Sequence, residues 1–218
     1  MFRKIKNDKY IKEIFKRISE VEIEKEYWVN HGLHHTNNVI YIVENILEQL
    51  EYDNNFIEQS KIAALLHDIG NIYGRDNHAY NSFRLAKEYF IKNNIDTGNN
   101  NLILEAIKHH RNGISGNKIA SILVLADKLD IKKDRLTTEG LKIEGLKEMR
   151  FIEDIIIDIL NATLRVNFIC NEKINKKSLE DFYFVTKVFN AINNFAIEFN
   201  LEPLIMYNNS EWILNKNN

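Results

Sequence analysis

Side chains that commonly bind metal ions are concentrated in one stretch of this sequence. All seven histidines lie between residues 31 and 110, and they are His31, His34, His35, His67, His78, His109 and His110. A single histidine on a helix is most often an ordinary surface or core residue, so each one means little alone. Their clustering, together with nearby aspartates, predicts a metal site.

The most informative segment reads AALLHDIG and covers residues 63 to 70. An apolar helix here ends in His67 and Asp68 next to the core, where an unpaired carboxylate is costly. A bound cation would remove that cost. We expect Gly70 to close the helix in a left-handed turn, which leaves His67 and Asp68 where the negative end of the helix dipole favours a cation.

Two other segments show the same pattern of polar groups at the end of an apolar run. His109 and His110 end an apolar-periodic stretch just before the stop signal Asn-Gly, and Asp127 stands in the segment LVLADKLD, residues 123 to 130. Each of these residues could instead cap a helix or lie on a solvated face. For Asp130 we favour that simpler interpretation.

Helices must position these residues, since one proline and eight glycines leave most of the chain free to be helical. Apolar residues recur at helical spacing over residues 2 to 26, 36 to 50, 56 to 69, 78 to 92, 101 to 111 and 118 to 130. The glutamates of the first segment argue against a membrane-surface helix. We therefore predict that the first 130 residues form a helical bundle.

The pattern changes after about residue 150. The β-branched run from Ile155 and the alternation up to Cys170 predict a hairpin, residues 177 to 199 predict a helix, and residues 201 to 207 predict a strand. The prediction is a mainly α protein with a core over residues 1 to 150 and a small C-terminal αβ lobe over residues 151 to 218 packed on it. The hairpin could form a dimer contact or a lid, so a homodimer is possible.

The overall composition excludes several functional classes. With 29 Lys and Arg against 31 Asp and Glu, the net charge of −2 argues against a general polyanion binder, and no base-stacking aromatic pattern accompanies a basic stripe. No apolar run approaches the roughly 18 to 20 residues of a membrane span, and the N-terminus is too charged for a signal peptide. The single Cys170 fits a reducing compartment. We expect a cytoplasmic protein that binds neither membranes nor specific nucleic acid.

Five sequence elements also stand in the order of a known family's ligands, namely His35, His67-Asp68, His78, His109-His110 and Asp127. This order resembles the HD-domain superfamily of metal-dependent phosphohydrolases, in particular its members with a His-Asp-Ile-Gly signature, which stands here at residues 67 to 70. His35 matches the first family histidine because an apolar residue follows four positions later, and Ala-Asp-Lys-Leu around Asp127 matches the last element. The resemblance covers roughly residues 30 to 135.

The resemblance implies a helical fold and two divalent transition metals, of which Mn, Fe, Co, Ni and Zn suit imidazole and carboxylate ligands. One metal would be bound by His35, His67, Asp68 and Asp127, and the other by Asp68 as a bridge, His78, His109 and His110. Two dications with two carboxylates leave a formal charge of about +2, which would attract a phosphate and lower the pKa of a bridging water. The resulting hydroxide would attack phosphorus. The implied enzyme hydrolyses a phosphate ester or anhydride of a small substrate, expected to be a nucleotide, with Asp68 as the central catalytic residue.

Substrate contacts are less well defined by the sequence. Arg75, Lys128 and Arg111 lie close to the proposed ligands along the chain, but a surface role explains each of them equally well. Many relatives have a lysine where this chain has Asn71, which puts a phosphate contact from that position in doubt. We expect His31 and His34 to be exposed or to lie just outside the ligand set.

Two alternative functions remain open. Some proteins that resemble this superfamily use nearly the same ligands for a mixed-valent di-iron oxygenase, and ligand types cannot distinguish the two reactions. The chain could also be a non-catalytic binding module braced by metal, although a complete dinuclear ligand set argues against that. The sequence does not select one nucleotide, and the absence of Gly-Tyr-Pro after His110 argues against cyclic di-GMP.

Overall fold

The structure, a computed structural model, describes residues 1 to 214 and divides by its internal contacts into two units. The first unit comprises Met1–Glu26 and Asn30–Asp127. The second comprises Tyr27–Val29 and the described residues from Lys128 onward. Within the described residues, no helix is both long enough and apolar enough to span a membrane.

The first unit is helical. Its helices are α1 (Phe2–Asn7), α2 (Lys9–Glu24), α3 (Leu33–Gln49), α4 (Asn54–Leu66), α5 (His78–Lys92), α6 (Asn100–His109) and α7 (Lys118–Leu129), whose last two residues belong to the second unit. A 3-10 segment, Ile69–Tyr73, follows α4. The helix that we predicted over residues 2 to 26 is divided at Asp8, because this residue is extended and its side chain accepts the amide hydrogen of Tyr10 to begin α2.

The prediction for Gly70 is wrong. Gly70 lies within the 3-10 segment and is not among the glycines with positive φ. A glycine is needed there for space, because a Cβ would collide with the carbonyl oxygen of His78 and the amide nitrogen of Ser82. The Gly70 amide donates to Ser82 Oγ at 2.8 Å, so the turn after α4 packs directly on the start of α5. The predicted stop after α6 does use a left-handed glycine, Gly113, with φ 77°.

The second unit combines a small sheet with two helices. Three 3-10 segments, Lys133–Arg135, Gly140–Lys142 and Leu146–Phe151, precede β1 (Ile152–Leu160), β2 (Thr163–Cys170), α8 (Lys176–Asp181), α9 (Tyr183–Glu198), β3 (Glu202–Tyr207) and β4 (Ser210–Glu211). The sheet order is β1-β2-β3-β4, with β2 and β3 parallel and the other pairs antiparallel. Asn161 and Ala162 form the hairpin turn, both with positive φ.

The core of the second unit lies between the sheet and α9. Leu164, Val166 and Phe168 alternate on one face of β2 and are buried, as are Val188, Ile192 and Phe195 of α9. This arrangement follows from the period-2 pattern of the strand and the 3.6-residue pattern of the helix. The predicted fold class, a mainly α protein with a small αβ lobe, is confirmed.

The boundary between the units falls after Asp127 rather than near residue 150. The last 3-10 segment, Leu146–Phe151, contacts β1 and α8, so it belongs with the sheet and not with the helical bundle. The short segment Tyr27–Val29 also joins the second unit, because Val29 pairs with Leu136 and the amide of Thr137 donates to the Trp28 carbonyl at 3.1 Å.

Candidate metal centre

Six of the predicted ligand side chains meet inside the first unit. They form two groups, each with its ligand atoms within 4.8 Å of one another: His35, His67 and Asp127 in the first group, and Asp68, His78 and His110 in the second. The residues come from the start of α3, the end of α4, the start of α5, the end of α6 and the last turns of α7. Helix ends therefore position the site.

The first group places two imidazole nitrogens and a carboxylate oxygen close together. His35 Nε2 lies 3.3 Å from His67 Nε2 and 3.3 Å from Asp127 Oδ1. His67 Nε2 lies 3.9 Å from the same Asp127 oxygen. All three ligand atoms converge on one position, as expected around a cation.

The second group has the same form. His78 Nε2 and His110 Nε2 are 3.1 Å apart, and each lies 3.5 Å from Asp68 Oδ1. Gly70 supports this arrangement, because its close packing on α5 brings the chain that carries Asp68 next to the helix that begins with His78.

Asp68 connects the two groups through its two oxygens. While Oδ1 faces His78 and His110, Oδ2 lies 3.3 Å from His67 Nε2 and 3.6 Å from His35 Nε2. One carboxylate thus offers an oxygen to each group, which is the arrangement that a bridging ligand between two metal ions requires.

Backbone carbonyls determine how three of the imidazoles are protonated. The Nδ1 atoms of His67, His78 and His110 lie 2.7 to 2.8 Å from the carbonyl oxygens three residues earlier. A carbonyl can only accept, so each Nδ1 carries the hydrogen, and in the neutral ring Nε2 presents a lone pair to the site.

The second group is therefore made of acceptors that face other acceptors. Asp68 Oδ1 is buried and accepts no hydrogen bond from the part of the chain that the structure describes. Buried acceptors without a donor are unfavourable, and a cation satisfies all of them at once. Both groups fit divalent transition metals, which favour imidazole and carboxylate ligands.

Burial and neighbouring charges shift the pKa values at the site. For Asp68, burial alone would raise the pKa, but the electrostatic influence of His67 lowers it well below the usual range. Burial would lower the pKa of His67, yet the Asp68 and Asp127 carboxylates raise it. Burial lowers the pKa of His110, against the attraction of Asp68.

His109, the seventh predicted ligand, is not brought into either group. Its side chain is 36% exposed, and its Nε2 lies 3.2 Å from Glu105 Oε2 on the outer side of α6. Adjacent residues of a helix point about 100° apart, so the end of α6 directs His110 inward and His109 outward. The second group consequently has one histidine fewer than the resemblance implied.

Each predicted substrate contact lies within three residues of a ligand along the chain. Arg75 has an exposed side chain, and its carbonyl accepts the hydrogen bond from His78 Nδ1 at 2.8 Å. Arg111 is exposed directly after His110. The Lys128 Nζ lies 6.0 Å from the centre of the Phe184 ring, within the second unit.

Three further residues lie close to the ligands along the chain. Asn71 is buried and its Nδ2 donates to the Asp68 carbonyl at 3.0 Å, so it stabilises the turn that holds Asp68. His34 is exposed, as expected. His31 is buried against Glu22. The sequence contained a signal for this pair, because Glu22 falls on the apolar side of α2, one turn after Ile18.

Comparison with known proteins agrees with this geometry. The family model of the HD domain matches residues 32 to 164, which include all six converging side chains. The chain belongs to the HD domain family. No curated protein matches this HD domain chain. Among solved structures, it is similar to a predicted HD superfamily hydrolase from an uncultured Thermotogales bacterium, with 23% identity, a TM-score of 0.43, and coverage of 60% of this chain and 80% of the other.

Proposed function

We propose that this HD domain chain is a metal-dependent phosphohydrolase that cleaves a phosphate ester or anhydride of a small substrate of the nucleotide class. The observation that carries the proposal is the position of Asp68, with one carboxylate oxygen in each group of ligand atoms. His35, His67 and Asp127 would bind one metal, and His78 and His110 the other, with Asp68 shared between them.

The side chains of the site have defined tasks in this reaction. Metals bound here would supply positive charge that activates water and offsets the charge developing on the phosphoryl group. The carbonyls of Ala64, Arg75 and Ile107 hold three imidazoles with their Nε2 lone pairs directed into the site. Asp68 keeps its negative charge, because its pKa is lowered well below the usual range.

The charge of the loaded site supports a phosphorylated substrate. Two divalent ions with the Asp68 and Asp127 carboxylates leave a formal charge of about +2, which attracts phosphate. Arg75 is the substrate contact included in this proposal, because its backbone carbonyl accepts the hydrogen bond from the second-group ligand His78. We expect Arg75→Ala to raise KM more than it lowers kcat.

The first test combines metal content with turnover. Elemental analysis of protein purified without added metal should give two transition metals per chain, and a nucleotide panel with Mn, Co or Ni should release phosphate. Asp68→Ala should abolish turnover and reduce metal content. Asp181→Ala, which removes an exposed carboxylate at the end of α8, is the matched control and should change neither.

Other results would identify a different function. Two irons per chain with oxygen consumption and no phosphate release would indicate an oxygenase. Unfolding on metal removal, with no turnover of any substrate beforehand, would indicate a binding module in which the metal is structural. Protein that binds no transition metal under any condition would contradict all three functions.

A further inference from the structure

A buried carboxylate and a buried histidine lie next to the metal centre without belonging to either ligand group. Glu22 is in the last turns of α2, and His31 is in the segment between α2 and α3. The two side chains are only 6% and 9% exposed. Glu22 Oε1 accepts the backbone amide hydrogen of His31 and lies 2.9 Å from its Nδ1. One carboxylate oxygen thus holds both the backbone and the ring of His31.

This contact lies just after the point where the chain returns to the first unit. Residues Tyr27–Val29 belong to the second unit, and the first unit resumes at Asn30. Helix α3 then begins at Leu33, with Gly32 as its N-cap and no side-chain hydrogen bond at that cap. The start of α3 therefore lacks the usual side-chain cap, and the Glu22 contacts to His31 anchor the residue just before Gly32.

His35 lies one helical turn beyond this anchor. The His31 ring packs edge-on against the His35 ring, with centroids 6.0 Å apart and an angle of 78° between the planes. The His35 Nε2 faces His67 and Asp127 of the first ligand group. The packing of His31 thus limits the rotation of the His35 ring.

We propose that Glu22 and His31 are positioning residues for the metal ligand His35. Glu22 orients the His31 ring, and this ring holds the His35 imidazole with its Nε2 directed at His67 and Asp127. The inference rests on the proposed function in one respect, namely that His35 binds a metal. In this proposal Glu22 acts on His35 through His31, and its effect on metal binding distinguishes it from a residue that merely stabilises the fold.

A double-mutant cycle with direct metal titration tests this chain of contacts. Glu22→Ala removes the acceptor, His31→Ala removes the ring, and the double variant removes both. Binding of Co²⁺ is followed by its visible absorption, which reports the ligand field, and by equilibrium competition, which reports the affinity of each of the two sites. Glu13→Ala is the matched control, since Glu13 is an exposed glutamate of the same helix. Urea unfolding of the metal-free variants reports the fold separately.

The expected result is selective. Each single variant should weaken one of the two Co²⁺ sites by about tenfold, in the range found for residues that orient metal ligands, and leave the other site unchanged. The double variant should also weaken that site only about tenfold, because two residues that act in series do not give additive effects. Glu22→Gln should retain most of the affinity, since its amide oxygen can still accept from His31.

Several outcomes would overturn the inference. Unchanged affinity of both sites in His31→Ala would do so, as would effects that multiply in the double variant. Metal-free variants that lose stability while both affinities stay at the wild-type level would show a role in folding only. If Glu22→Ala does not fold, His31→Ala and Glu22→Gln decide the matter. Wild-type protein that binds no Co²⁺ would contradict the proposed function itself, which is a different result.

Discussion

The two units of this chain treat buried charge in different ways. In the second unit, Asp130 is buried with its Oδ2 3.6 Å from Arg135 Nη1, and buried Glu148 accepts the amide hydrogen of Asn175 at 2.8 Å. In the first unit, the Asp68 carboxylate faces imidazole nitrogens whose hydrogens point elsewhere. The protein chain thus supplies partners to the Asp130 and Glu148 carboxylates of the second unit, whereas Asp68 of the first unit faces other acceptors.

This difference shows that a functional site can be unfavourable for the stability of the fold. A buried carboxylate is tolerated when a cation or donor pairs with it, and the protein chain supplies that partner in the second unit. In the first unit, a convergence of acceptors is retained although it is unfavourable until a cation binds. In the part of the chain that the structure describes, both groups with metal-ligand spacing lie in the first unit.

Removal of the Asp130 carboxylate gives the largest expected effect on stability. Asp130→Ala takes this carboxylate away from the buried Arg135 guanidinium, and breaking a buried ion pair in this way costs about 3 to 5 kcal/mol of unfolding free energy. Since both members of the pair come from the protein chain, the loss should be equal with and without chelator in urea titrations. If the loss of unfolding free energy disappears on metal removal, the contrast drawn between the two units is wrong.

An exposed ion pair of the same unit is the control for that experiment. Asp158 and Arg165 pair across β1 and β2 at 2.6 Å, with both side chains largely exposed. Asp158→Ala should cost about 0 to 1 kcal/mol, because solvent screens surface ion pairs.

Metal removal should have the next largest effect, and only through the first unit. With free metal at about 100 times Kd, binding stabilises the folded state by about 2.7 kcal/mol, which a chelator should abolish. Asp68→Ala removes the ligand shared by both groups, so its unfolding free energy should respond little to the chelator. The measurement is a pair of urea titrations for each protein. An equal chelator effect in wild type and variant would show that metal stabilises the protein elsewhere.

Overpacking the turn after Asp68 should disturb the site by a smaller amount. In Gly70→Ala the new Cβ meets the backbone of His78 and Ser82, and forced overpacking of this kind costs about 1 to 3 kcal/mol. Because the collision separates Asp68 from His78, metal stoichiometry should also fall. Metal analysis and urea unfolding of the same sample check both effects.

Gly98 is the control for Gly70→Ala, because its backbone is strained for other residues but its surroundings are open. Its φ is 77°, and no atom lies within 4 Å of the position that a Cβ would occupy, so alanine there meets backbone strain but no neighbour. Gly98→Ala should lose stability and retain full metal content. Reduced metal content in both variants would mean that Gly70 has no special relation to the site.

Periodicity predicted the helices well, since five of the six apolar segments of the first 130 residues became single helices within a few residues of their expected bounds, and the first became α1 and α2. The residues that depended on tertiary contacts were missed. Asp130 was expected at a cap or on the surface, but Arg135 from a 3-10 segment pairs with it in the interior. Strand β4 is two residues long and exists through its pairing with β3, so no local pattern could reveal it.

The choice between the two histidines at the end of α6 could have been made from the sequence. Ile103, Ile107 and His110 follow one another at spacings of four and three, which places His110 on the buried side of the helix. His109 shares the outer side with Glu105. Residue type identified both as ligand candidates, and only the helical angle separates them.

Substitution of His109 should have the smallest effect on stability. Comparison with His110 contrasts two neighbouring residues. His109→Ala removes a partly exposed ring paired with Glu105, so its unfolding free energy should stay within about 0.5 kcal/mol of wild type, with metal content and turnover unchanged. His110→Ala removes an Nε2 that faces His78 and Asp68, and the second metal should be lost. Metal analysis and turnover of the two variants, side by side, give the answer. Loss of the second metal in His109→Ala would mean that the end of α6 rotates on metal binding, since only a different helical angle could bring that ring inward.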